Sequence, residues 1–288
     1  MKNFYFLLLL IILQSEAISQ QTFIKSTTNT AFGANIRILP MSDLGWIVCS
    51  LDSLNISKFN NCGNIEWSRR YQLPNANSSL TDIIKTSDDG IAILTRLQRN
   101  NVHYSLVTKL DATGTFVWSR SYENSDFEQF PYSISEDKLG NLFVFANVEY
   151  LNGSPFYNMV IKLDNSGNLL WSNFYNHGGI WGGAITTSDN GVLIRTGSIF
   201  IKIDNNGNLL WSVSLAGMPY NYYAPIEVSD GYILTGTQAG NQYISFYKIG
   251  LFGNQVWQER KTLNVFGNPK VLKSRSNGNF SILVSSNS

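Results

Sequence analysis

After an unbroken apolar run from Phe4 to Leu13, short apolar stretches of three or four residues alternate with polar clusters of Ser, Asp, Asn and Gly. Stretches such as Ile91-Ala92-Ile93-Leu94 and Tyr232-Ile233-Leu234 are rich in residues that suit a pleated surface, and the clusters between them are turn formers. Few segments carry the three-to-four spacing of an amphipathic helix, so the pattern predicts an all-β chain of short strands.

The alternation is itself periodic. Five segments align on a tryptophan, at Trp67, Trp118, Trp171, Trp211 and Trp257. A glycine stands four residues before each one (Gly63, Gly114, Gly167, Gly207 and Gly253), and a lysine stands nine before it (Lys58, Lys109, Lys162, Lys202 and Lys248). The tryptophan spacings of 51, 53, 40 and 46 give a period near 47 residues. A second element of the form Ser-Asp-x-Gly alternates with the first and ends at Gly45, Gly90, Gly140, Gly191, Gly231 and Gly278, each flanked by β-like runs. Both elements have hairpin-turn chemistry: Asp or Asn accepts backbone hydrogen bonds two or three residues on, and Gly supplies positive φ.

Each unit therefore holds four short strands, which is the arithmetic of a β-propeller blade. Residues 20–288 are predicted to form a single β-propeller domain of about six four-stranded blades, five complete and a sixth that stops after its second strand. Thr22-Phe23-Ile24-Lys25-Ser26 is a candidate closing strand for that last blade. The alternative is an open ring with a partner across the incomplete blade. The five tryptophans and their glycines are read as structural anchors, each ring a large buried contact at a blade–blade seam.

The Lys-Leu-Asp-x-x-Gly-Asn-Leu-Leu-Trp-Ser pattern, alternating with Thr-Ser-Asp-x-Gly, resembles the propeller-type repeats of exported Bacteroidetes proteins. It is also similar to the tryptophan-docking repeat of quinoprotein-like propellers, which carries one more residue between Asp and Gly. The resemblance covers roughly residues 30–288 and implies an exported propeller. Many such proteins carry a C-terminal sorting domain; none is recognised before Ser288, so delivery by that route is not expected.

The first residues agree with export. Met1-Lys2-Asn3, the ten-residue apolar run and Ala17-Ile18-Ser19 have the layout of a secretory signal peptide spanning residues 1–19, with cleavage before Gln20. Ten apolar residues cover half a bilayer core, and no later stretch reaches 18, so no transmembrane anchor is expected after cleavage. A secreted or periplasmic location follows. Charged residues make up only 14% of the chain and the net charge is +1, which provides no electrostatic footprint for nucleic acid. Polarity comes instead from Asn, Ser, Thr and Gly, and the repeated turns absorb much of the 32 Asn and 23 Gly. Cys49 and Cys62 are expected to stay unbridged: a register setting Cys49 opposite about Lys58 leaves Cys62 ~13 Å further along.

Candidate chemistry is sparse. The two histidines, His103 and His177, are too few for a His-rich metal site, and no Cys-x-x-Cys, His-Glu-x-x-His or Gly-x-Ser-x-Gly spacing occurs. In the Asp164 and Asp204 loops Gly is at position 4, the spacing of a turn, where a calcium loop of the EF type has it at position 6. The vicinal cysteines and acidic metal ligands of quinone enzymes have no counterpart, so no cofactor and no metal is expected. His103 is read as a solvated residue of a hairpin loop. The binding candidates lie in loops that follow the tryptophan strands: Phe130 with Phe127 and Tyr132, then His177 and Trp181, then Tyr220, Tyr222 and Tyr223. Aromatics beside Asn and Gly suit sugar or peptide contacts, and equally suit wedges between blades. The expected function is non-enzymatic binding of a protein, peptide or glycan, with no catalytic residue assigned. The alternatives are an extracellular polysaccharide hydrolase or lyase with a carboxylate pair, and a purely structural assembly module.

Overall fold

The computed structural model describes residues 36–50, 54–72, 78–151, 156–176, 182–215, 221–222, 225–237, 243–262, 267–274 and 280–286. The chain divides into two compact units, Met1–Gln72 and Leu73–Ser288. In the first, β1 (Ile36–Pro40), β2 (Trp46–Ser50), β3 (Asn55–Phe59) and β4 (Ile65–Arg70) form an antiparallel four-stranded sheet in chain order.

The second unit repeats this meander. One sheet comprises β5 (Ser79–Lys85), β6 (Ile91–Arg99), β7 (Val102–Leu110) and β8 (Phe116–Tyr122), and the next β9 (Phe127–Glu136), β10 (Leu142–Tyr150), β11 (Phe156–Leu163) and β12 (Leu169–Tyr175). A third comprises β13 (Gly182–Thr186), β14 (Val192–Thr196), β15 (Ile199–Ile203) and β16 (Leu209–Ser214). In the next, the first strand is broken into β17 (Asn221–Tyr222) and β18 (Ile226–Val228), both paired with β19 (Gly231–Thr237), before β20 (Tyr243–Gly250) and β21 (Gln255–Thr262). The last sheet has two strands, β22 (Gly267–Ser274) and β23 (Phe280–Ser286), as the partial sixth unit predicts. No helix occurs among the described residues. The closing segment Thr22–Ser26 lies outside them.

The period of the sequence is a register. Each repeat lysine stands opposite its tryptophan across the third and fourth strands: Lys58–Trp67, Lys109–Trp118, Lys162–Trp171, Lys202–Trp211 and Lys248–Trp257. A one-residue irregularity follows the lysine every time, and the turn comes next. In that turn Asp164 Oδ1 accepts from the backbone N–H of Ser166 and of Asn168, two and four residues on, and Asp111 and Asp204 do the same. Asn60 plays this part in the first sheet. The turn glycine has φ between +75° and +84° in all five.

Side chains of the second and third strands cover both faces of each sheet. Along β10, Leu142, Val144, Ala146 and Val148 pack with Leu94 and Val107 of the preceding sheet, whereas Phe143 and Phe145 pack with Ile194 and Ile201 of the following one. Removing these apolar faces from water between neighbours makes strands of near-continuous hydrophobicity compatible with a folded chain. Leu193, Phe200, Tyr232 and Tyr247 continue the series at the next seam. The fourth strands, by contrast, are largely exposed.

Because the strands form meanders, the turns between strands one and two and between strands three and four lie at one end of every sheet. This is the turn end; the chain enters and leaves each four-stranded sheet at the opposite, loop end. Cys49 pairs with Ile56, not with Lys58, a two-residue correction to the expected register. No disulfide joins Cys49 and Cys62, and burial pushes the Cys49 thiol up to about 12.

Candidate functional site

At the turn end the two repeated sequence elements meet. The lysine that closes the third strand reaches the aspartate of the strand one–two turn: Lys58 to Asp43 at 2.6 Å, Lys109 to Asp88 at 2.7 Å, Lys202 to Asp189 at 2.9 Å, and Lys248 to Asp230. The same aspartate accepts from the glycine N–H at 3.0 Å at Gly45, Gly90 and Gly191. Positive φ in these turns belongs to the residue before the glycine, at Leu44, Asp89 and Asn190. The glycine is required for a different reason: a Cβ at Gly90 or Gly191 would collide with the lysine ammonium and the adjacent carbonyl.

One sheet departs from this rule and explains it. In Glu136-Asp137-Lys138-Leu139-Gly140 the backbone bond from Asp137 N–H to Asn141 C=O corresponds to that from Thr86 to Gly90, which places Leu139 where the others have aspartate. Lys162 therefore turns to the side chain and carbonyl of Asn205 in the next sheet, with Asp137 at 3.9 Å. In this turn an asparagine, Asn141, stands at the position of the glycine.

Neighbouring sheets are also joined at this end. Trp118 Nε1 donates to Asn165 C=O at 3.2 Å, Trp171 to Asn205 C=O at 3.2 Å and Trp211 to Leu251 C=O at 2.9 Å. A Cβ on Gly167 would come within 2.8 Å of the Trp118 ring. The five rings are half-buried, not buried as expected, because they sit on exposed fourth strands; those of Trp118, Trp171 and Trp211 are covered by the next turn and by core residues such as Phe143. A second joint is made by glutamates: Ser87 N–H and Oγ donate to the Glu136 carboxylate at 2.6 and 3.0 Å, and Ser188 does the same to Glu227 at 2.7 and 2.8 Å.

Beneath the Ser87–Glu136 joint is a cleft of about 210 Å³, lined by Thr86, Asp88, Lys109, Glu136, Lys138 and Asn165 among others. Burial opposes ionisation of Asp88, but hydrogen bonds from Lys109, Thr86 and Gly90 outweigh it and hold the carboxyl at about 2. Glu136 moves the other way. Burial raises it and the charge of Asp88 adds to the rise, against the two bonds from Ser87. One carboxylate is thus held ionised beside another that protonates more readily.

At the loop end, Phe127, Phe130 and Tyr132 stand within β9 and not in a connecting loop, since the strand begins at Phe127. Phe127 is buried and meets the Phe174 ring at 5.1 Å. Tyr132 packs with Phe143, Tyr175 and Ala184 at the seam to the following sheet. Phe130 lies 5.5 Å from the His103 ring on β7 of the preceding sheet, and His103 Nδ1 is 3.6 Å from Glu128. His103 is therefore a half-buried strand residue, correcting the expectation of a solvated loop; the hairpin itself is confined to Asn100-Asn101. Tyr222 pairs with Gly236 through its backbone in the interrupted first strand. His177, Trp181, Tyr220 and Tyr223 lie outside the described residues.

Sequence reasoning missed the lysine–aspartate pair, although both partners recur at fixed positions in the motifs. It also missed Glu136 and Glu227, which occur in alternate sheets and have no fixed spacing from tryptophan.

No protein-family model and no curated protein matches the chain. Among solved structures it is similar to a protein of unknown function from Bacteroides caccae, at 14% identity and a TM-score of 0.51 over 78% of this chain and 80% of that one. It is similar to a glucose dehydrogenase at 10% identity and 0.54, over 86% and 92%. A protein from Lactobacillus plantarum matches at 10% and 0.54, over 76% and 68%. At such identities the likeness shows the fold alone, a β-propeller.

Proposed function

We propose that this chain is an exported, non-enzymatic β-propeller that binds a protein, peptide or glycan through its loop end. One observation carries the reading. The ionisable side chains gathered at the turn-end cleft recur pair by pair elsewhere: Lys109–Asp88 as Lys202–Asp189, and Ser87–Glu136 as Ser188–Glu227. A device repeated from sheet to sheet belongs to the architecture, whereas a reaction centre is built once. The signal-peptide layout of residues 1–19 supports a secreted or periplasmic location.

The test is a double substitution, Trp181→Ala with Tyr222→Ala, assayed on a glycan microarray and a peptide panel beside the unaltered protein. The reading expects a bound probe whose capture falls at least tenfold with no change in melting temperature. Loss of the fold would make these residues seam wedges, and an absence of any bound probe would contradict the reading.

A polysaccharide hydrolase is the second reading, favoured by the opposed shifts of Asp88 and Glu136 in one cleft. Turnover of any glycan in a polysaccharide panel, abolished by Glu136→Gln, would establish it in place of the first.

A further inference from the structure

The turn end carries large apolar side chains in solvent. Two adjacent ones open most fourth strands: Phe116-Val117, Leu169-Leu170 and Leu209-Leu210 are all exposed. A pleated strand directs neighbours to opposite faces, and both members of each pair are exposed where these fourth strands begin. The tryptophan joints seat a turn of one sheet beside the fourth strand of the sheet before it. Trp171 bonds the turn at Asn205, and Trp211 bonds the turn at Leu251, beside which Phe252 is 88% exposed. Exposed apolar residues thus recur at this end in successive sheets, and Leu139 adds another from a strand one–two turn.

The charge at this end is asymmetric. In each lysine–aspartate pair the lysine is inside and the aspartate outside: Lys109 is 7% exposed and Asp88 64%, Lys202 is 1% and Asp189 55%. Lys248 and Asp230 follow the same order. The turn carboxylates add to it. Hydrogen bonding from Asn168 holds Asp164 below the ordinary carboxylate range, and Asp204 is also lowered, its bonds from Asn208, Asn206 and Gly207 outweighing burial. A partner meets carboxylates set among leucine and phenylalanine, with the paired ammonium groups behind them and an exposed cation, Lys138, held by the Ser188 carbonyl.

We propose that the turn end is a docking surface for a cationic amphipathic segment of a protein partner, which sets apolar residues on the Leu170, Leu210 and Phe252 side chains and lysine or arginine against Asp88, Asp164, Asp189 and Asp204. Outward carboxylates repel phosphate, so a nucleic acid or an anionic membrane does not fit this surface. The surface is opposite the loop end, so it stands or falls independently of the binding proposed there.

The experiment uses the full chain and a fluorescein-labelled helical peptide of alternating lysine and leucine faces, with a glutamate–leucine peptide of the same pattern as control. Fluorescence anisotropy is expected to show binding of the cationic peptide only, weakening as salt rises. Leu170→Ser with Leu210→Ser, or Phe252→Ser alone, should weaken it at least tenfold at unchanged melting temperature. Asp164→Asn with Asp204→Asn should weaken it as well and still fold, because Asn60 forms the same turn in the first sheet. Equal binding of both peptides, or none of the cationic one, overturns the proposal. So does flotation with phosphatidylcholine vesicles that these variants abolish. Self-association in sedimentation velocity, lost in the same variants, would assign the surface to a second copy instead and also overturn it.

Discussion

Lys202 Nζ lies 2.9 Å from Asp189 Oδ2, and a Cβ on Gly191 would collide with that ammonium. Lysine and aspartate come from two motifs, 13 to 21 residues apart in the chain, yet with the glycine they make one device. The lysine ends the third strand, its charge is taken inside the sheet by the aspartate, and the glycine leaves room for it. Lys162 shows the dependence from the other side, since it leaves for Asn205 where Leu139 replaces the aspartate.

The two halves of this pair should not be equivalent. Asp189→Ala leaves a buried ammonium without its carboxylate and is expected to cost about 2–4 kcal/mol in urea denaturation. Lys202→Met leaves a half-exposed carboxylate that water solvates, and should cost about 1–2 kcal/mol. Equal costs would mean that the lysine is not the buried partner.

Glycines of the strand three–four turns face a second constraint. Gly167→Ala places a Cβ 2.8 Å from the Trp118 ring at φ +77° and should destabilise by about 2–4 kcal/mol. Gly197→Ala also has positive φ, +59°, but meets no atom within 4 Å, so it should cost about 1 kcal/mol. Chemical denaturation of the two variants separates close approach from backbone strain.

Trp171→Phe keeps an aromatic ring at the seam but loses the bond from Nε1 to Asn205 C=O. About 0.5–1.5 kcal/mol should be lost, with Trp171→Ala costing more, because the ring also packs on Phe143 at 5.9 Å. Thermal melts of both variants check the order.

Acid should loosen the turn end first. Asp88, Asp164, Asp189 and Asp204 titrate below the ordinary range in the folded chain, so their contribution is present above the unfolded value near 4 and is lost as pH falls through the folded value, about 2 for Asp88. Glu136 is raised and works in the opposite sense: it opposes folding above its folded value, and acid relieves that cost. Circular dichroism between pH 5 and pH 2 should show Asp88→Asn less stable at pH 5, with a shallower fall below pH 4 than the unaltered protein.

Much of the fold is legible in the chain because its determinants are local. The turn aspartates, the positive-φ glycines and the alternation of short strands all fall within ten residues of one another, and six sheets in the described residues follow the predicted units. What was not legible depends on neighbours. His103 reads as a loop residue until Phe130 of the next sheet covers it, and the glycine of Ser-Asp-x-Gly reads as a turn former until a distant lysine is seen beside it. The half-exposure of the tryptophans follows from the exposure of the fourth strands, which the periodicity does not encode. Leu169-Leu170 and Leu209-Leu210 did hold a readable signal, since two adjacent apolar residues in a strand cannot both face one side.

The central claim is that the repeat's lysine and aspartate act as one architectural unit. A double-mutant cycle with Lys202→Met, Asp189→Asn and the combined variant, read by urea denaturation, tests it most directly. A coupling of about 1–3 kcal/mol is predicted, the combined variant being more stable than the sum of the single losses allows. Losses that add to within about 0.5 kcal/mol would contradict it.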